Sequence, residues 1–116
     1  MTDFRFVKDA ESLQSLATEG SMLADGVVDS RTTTAFVITH AQDLAAEAEQ
    51  LASVVASTDP EPGLGQKTEE LTQLANLVAS QLQSLADNAS DEEAATVVRS
   101  SLANAADEAA KLEESV

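Results

Sequence analysis

The sequence predicts an all-α fold, an antiparallel up-down-up-down four-helix bundle, and three observations lead to it. Apolar residues recur at alternating spacings of three and four along four stretches, the period of a helix face and not of a strand. The one internal cluster of proline and glycine, Thr58-Asp-Pro-Glu-Pro-Gly-Leu-Gly65, interrupts the chain near its middle, and no helix runs through it. The remaining two boundaries are short, which makes consecutive helices antiparallel neighbours. Helices of roughly 22 to 28 residues, about 33–42 Å long, follow from these limits. The alternation of three and four predicts shallow left-handed crossings.

The first helix is expected over residues 3–25, capped by Thr2 or Asp3. Its stripe is Phe6, Ala10, Leu13, Ala17, Gly20 and Ala24, flanked by Leu16 and Leu23. Gly20 inside a helix costs about 1 kcal/mol against alanine, so either neighbouring backbone comes close there or the helix breaks there, and with alanines dominating the other stripes the close approach is expected. Gly26 is expected to end the helix, as glycine does just past a C-terminus.

The second helix is expected over residues 30–57, with Asp29 or Ser30 as its cap and a first turn weakened by Thr32, Thr33 and Thr34. Val37, Ala41, Leu44, Ala48, Leu51 and Val55 form one stripe, widened by Ile38, Ala45 and Ala52. The third helix, residues 66–87, carries Leu71, Leu74, Val78, Leu82 and Leu85, with Ala75 and Leu77 beside them. The fourth, residues 91–114, opens on Ser90 with Glu93 three positions later, the pattern of a capping box. Asp91 and Glu92 add charge that suits the positive end of the helix dipole. Its stripe, Val98, Leu102, Ala105, Ala109, Leu112 and Val116, has few large members, so this helix packs closely or holds weakly. The first and second helices, and the third and fourth, read as two hairpins. The rival arrangement completes each bundle only by dimerisation.

With 116 residues the chain is read as a single domain, 1–116. The hydrophobic fraction is 43 % but only 3 % is aromatic, and alanine buries little area, so the core is expected to be thin. The charge balance is 21 acidic against 6 basic residues, a formal net charge of −15. Phosphate backbones and anionic lipid surfaces repel such a chain, so neither nucleic acid nor membrane is expected as a partner. A cytoplasm at molar salt is one setting that suits the acid excess, because the Debye length shrinks to about 3 Å near 1 M. An ordinary acidic protein is the other reading. No cysteine is present, which excludes thiol catalysis and disulfides. The N-terminus lacks the apolar run of a signal peptide, and no stretch reaches the ~20 apolar residues of a membrane span, so a soluble, cytoplasmic protein is expected.

Reactive constellations are sparse. The one histidine, His40, lies beside the stripe of the second helix. A four-helix bundle with a single mid-helix histidine resembles the histidine phosphotransfer domains, and that resemblance implies His40 as phosphoacceptor. The family's pattern sets a lysine three positions and a glycine four positions after the histidine; here Asp43 and Leu44 stand there, and Asp43 and Glu47 would repel a phosphoryl group. His40, Asp43 and Glu47 share a helix face, but a di-iron bundle needs a second histidine and a glutamate where Val37 stands, so no metal is expected. Gly63-Leu-Gly-Gln-Lys-Thr68 has the ingredients of a phosphate loop without the preceding strand, and a helix-capping loop explains it. Ala45, Ala46, Glu49, Gln50, Ala52 and Ser53 resemble the methylation-site pattern of chemoreceptor signalling helices, which implies Glu49 and Gln50 as the modified pair.

No catalytic residue and no cofactor is therefore expected. The chain reads as a non-enzymatic protein-interaction or regulatory module that self-associates. Phe4, Val27, Val28, Phe36, Val54 and Leu77, apolar residues left over from the stripes, are the candidate contact set. The competing classes are the His40 phosphoryl carrier and a small-ligand bundle with a cavity near Ala41, Ala48 and Ala105.

Overall fold

In the computed structural model, which describes residues 4–60 and 62–116, the chain folds as an antiparallel up-down-up-down four-helix bundle. Its helices are α1 (Phe4–Val28), α2 (Thr34–Ser57), α3 (Gly65–Asp87) and α4 (Glu92–Glu114). No strand occurs among the described residues. The bundle measures 46 × 22 × 17 Å, long and narrow as expected for helices of 23 to 25 residues packed around small side chains.

The expected stripes form the core. Leu13, Leu44, Leu71, Leu82, Leu85 and Leu102 are fully buried, and alanines fill much of the rest: Ala10, Ala17, Ala41, Ala48, Ala75 and Ala109 have no exposed surface. No polar or charged residue is buried among those described. Leu51, Leu74 and Leu112, placed in the stripes by spacing, lie at their edges and are only partly buried. One chain by itself supplies a continuous buried core.

The pairing of helices differs from the two-hairpin reading. α1 packs most closely on α4, and α2 on α3, while the helices joined by short connections are in sparser contact. α1 also touches α3 across the diagonal. Gly20 lies at that crossing: a Cβ there would sit 2.6 Å from Leu82 Cδ2 and 2.7 Å from Leu102 Cδ1. The close approach expected at Gly20 is real, but leucine side chains from two helices make it, not neighbouring backbone.

Three helix ends also differ from expectation. α1 does not stop at Gly26 but continues to Val28. It closes with the Arg31 amide donating to the Gly26 carbonyl (2.8 Å) and the Ser30 amide to the Val27 carbonyl (3.0 Å). This is a Schellman closure, in which the left-handed position, normally glycine, is Ser30 at φ 56°. α2 consequently starts late, at Thr34. Its cap is Thr33, whose hydroxyl accepts from the Phe36 amide at 3.2 Å, in place of Asp29 or Ser30. α4 is capped by Asp91, one residue after the expected Ser90. The Asp91 carboxylate accepts from the Glu93 and Ala94 amides at 3.0 and 3.1 Å. The carboxylate satisfies two free amides, and its charge suits the positive helix end. The expected caps of α1, Thr2 and Asp3, lie outside the described residues. No helix among the described residues is long and apolar enough to cross a membrane.

Candidate functional site

The sparse α1/α2 contact leaves an open trough along that seam, in two sections that share Glu19. The section nearer the α1–α2 turn, about 390 Å³, is lined by Met22, Leu23, Gly26, Arg31, Thr32, Phe36, His40 and Glu19. The section beyond it, about 450 Å³, lies between Ser12, Ser15, Leu16 and Glu19 of α1 and Glu47, Gln50, Leu51 and Val54 of α2.

The sequence builds this trough locally. Thr33 fixes the start of α2 and so puts Phe36 in its first turn. Phe36, His40, Glu47 and Val54 follow at spacings of four, seven and seven, one flank of α2. Phe36 stacks on the His40 imidazole, ring centroids 5.4 Å apart and planes 23° apart. His40 Nε2 faces Glu19 Oε2 of α1 at 3.9 Å, beyond a direct hydrogen bond. Met22 is 67 % exposed and Phe36 54 %, the largest apolar surfaces on this face. Arg31, at the mouth, is held by Asp25 (3.1 Å) and Asp29 (3.4 Å). Asp25 also accepts from Arg99 of α4 at 2.9 Å, which ties α1 to α4 behind the trough.

Of the expected contact set, Phe36 and Val54 line the two ends of the trough and are exposed, Val54 at 40 %. Leu77 is exposed as well, but on α3. Val27 is not a surface residue: it is buried at 6 %. Extension of α1 past Gly26 places it seven residues after Gly20, on the core stripe. Val28 is half-buried and packs against the core. The side chain of Phe4 lies outside the described residues. Met22 and Val97, both strongly exposed, were missed. Neither lies on its helix's apolar stripe, and that was the available signal.

Among the described residues no three His, Asp or Glu side chains converge as a metal site would require. In the Gly63–Thr68 stretch the Thr68 amide is spent on the Leu64 carbonyl (2.8 Å), and the Lys67 ammonium donates to the Ser115 carbonyl (2.6 Å) at the end of α4. Glu49 and Gln50 are exposed on α2. Ala41, Ala48 and Ala105 are packed in the core.

Among the described residues two carboxyls are raised above their ordinary values. Burial raises Asp9, against the opposing pull of Arg5. Asp9 lines a pocket of about 30 Å³ at the far end of α1, beside Phe6, Val55 and Pro60. Glu113 is raised by desolvation, then by a hydrogen bond with Glu11 across the α1/α4 seam and by the charges of Glu11 and Glu114.

Comparison with known protein families, curated proteins and solved structures finds no match.

Proposed function

We propose that this chain is a non-enzymatic interaction module whose working face is the α1/α2 trough. The observation that carries this reading is the pairing of Met22 and Phe36, 67 % and 54 % exposed, in one groove. Large apolar side chains left in water beside a concave surface mark a contact site more often than an accident of composition. The rest of the molecule supports a binding role over a catalytic one. His40 lacks a partner within hydrogen-bond range at Nε2, and the two raised carboxyls stand apart from the trough. Self-association was expected from the leftover apolar set. With Val27 and Val28 withdrawn into or against the core, that set shrinks, and a foreign partner is favoured over a second copy.

The test is a photo-crosslinking residue placed at Met22 or Phe36 and, as a control, at Glu108 on α4. The reading expects one partner of fixed mass at the first two positions and none at the third. Equal, diffuse labelling at all three would end it; a product of twice the chain's own mass would restore self-association.

One observation favours the phosphoryl carrier as a second reading: the His40 side chain is 39 % exposed, so its imidazole is reachable. Glu19 on one side and Asp43 and Glu47 along α2 oppose an incoming phosphoryl group. Incubation with a small phosphoryl donor should leave His40 unmodified; an acid-labile phosphoramidate at His40 would reverse the preference.

A further inference from the structure

We infer that the occupant of the trough is a basic amphipathic helix, laid along α1 and α2 with lysine or arginine facing Glu19 and Glu47; this rests on the interaction reading above. The charge pattern of the walls is the first argument. From Asp9 to Ser30, and again from Thr34 to Ser57, the chain contains no lysine or arginine. Carboxylates occupy both walls, Glu19 and Glu47 lining the trough itself and Asp43 exposed on the same side of α2. The one cation at the mouth, Arg31, is already paired with Asp25 and Asp29. A second copy would set acid against acid, and an anionic partner would be repelled in the same way.

The shape is the second argument. The most exposed apolar side chains sit at the two ends, Met22 and Phe36 at one and Val54 at the other. Phe36 and Val54 are about 27 Å apart along α2, or about five helical turns. A helix of about 18 residues spans that length and offers apolar side chains at both ends from one face. Between them Glu19, level with His40, and Glu47 are separated by about two turns. The partner's basic residues are therefore about seven positions apart. An extended strand finds no open sheet edge here, because among the described residues there is no sheet.

The probe is a synthetic 18-residue peptide with leucines on one face and lysines seven apart on the flank, compared with the same peptide carrying glutamates for lysines. Fluorescence anisotropy at about 0.1 M salt should show binding of the lysine peptide alone. The double variant E19K/E47K should weaken it about tenfold or more and bind the glutamate peptide better than the wild type does. The variant E69K/E70K changes charge equally on exposed positions of α3 and should alter affinity less than about twofold. Circular dichroism verifies that each variant keeps its helices. Equal loss in both double variants, or equal binding of both peptides, overturns the inference. If a partner crosslinks at Phe36 while the lysine peptide ignores the trough, the basic helix is wrong and the interaction module stands. If neither occurs, both fall.

Discussion

Alanine at Gly20 and alanine at Gly26 should move stability in opposite directions, although both glycines lie inside α1. At Gly26 a new Cβ meets Thr32 Cγ2 at 3.4 Å, ordinary contact, so Gly26→Ala recovers up to about 1 kcal/mol of helix propensity. At Gly20 the same methyl would stand 2.6 Å from Leu82 Cδ2 and 2.7 Å from Leu102 Cδ1, where carbon atoms settle at about 3.5–4.0 Å. Each leucine must retreat by about 1 Å, and both are core side chains, 0 % and 1 % exposed, that cannot swing into solvent. Overpacking of this kind costs about 1–3 kcal/mol. After the propensity gain of about 1 kcal/mol, Gly20→Ala should lose about 1 kcal/mol net, and Tm should fall by about 4 °C. The two variants should differ by about 2 kcal/mol in urea denaturation followed by circular dichroism at fixed salt, with unchanged m. Leu82→Ala made together with Gly20→Ala should be less damaging than the sum, because the new methyl enters the space the leucine left; a coupling of about 1 kcal/mol is expected. A Gly20→Ala protein as stable as the wild type would refute the diagonal α1–α3–α4 contact as the reason for glycine.

Further outcomes follow from the helix ends and the charge. Ser30→Gly should stabilise by about 0.5–1 kcal/mol, because Ser30 holds a left-handed φ of 56° that glycine adopts freely. Its exposed 3.3 Å bond to Glu92 is a small loss, and an unchanged Tm would contradict the αL assignment. Asp9 is protonated more readily folded than unfolded, so folding takes up protons there and stability rises as pH falls through the range just above ordinary carboxylate values. Asp9→Asn should flatten that gain, read from Tm against pH. With a net charge of −15, Tm should climb from about 0.1 M to about 1 M salt as the Debye length drops from about 10 to about 3 Å. A flat or falling Tm would remove self-repulsion as a factor.

The faces of the helices were legible in the sequence, and their neighbours were not. Spacing identifies which side of a helix is apolar, as Val37, Ala41, Leu44 and Val55 demonstrate by their burial. It does not rank the two flanking helices, and the short connections suggested the wrong close pairs. The turn after α1 was misplaced for a local reason. Gly26 has the residue type of a helix stop, yet the left-handed position is filled by Ser30, a residue with no such preference in the sequence. That four-residue displacement carried Val27 from the expected surface to the core and moved the cap of α2 from Asp29 or Ser30 to Thr33. Phe36 and Val54 were found as candidates because they lie off the α2 stripe, and Met22 satisfies the same criterion on α1.

Residue size explains why the trough lies where it does. On α2 the alanines Ala41, Ala45, Ala48 and Ala52 follow at spacings of four, three and four, one flank of the helix. On α3, Ala75, Ala79 and Ala86 follow at spacings of four and seven, again one flank. Small side chains let two backbones approach, and α2 and α3 are a close pair. The opposite flank of α2 carries Phe36, His40, Glu47 and Val54, and the facing flank of α1 carries Leu16, Glu19 and Leu23. Side chains of that length hold α1 and α2 apart while their charged ends seek water. The tight α2/α3 seam and the open α1/α2 seam are thus two results of a single division of α2, alanine on one flank and long side chains on the other. Closure of the trough would require α1 to desolvate Glu19 and Glu47, which costs more than the buried area at Leu16 and Leu51 returns unless a cation enters with the covering surface.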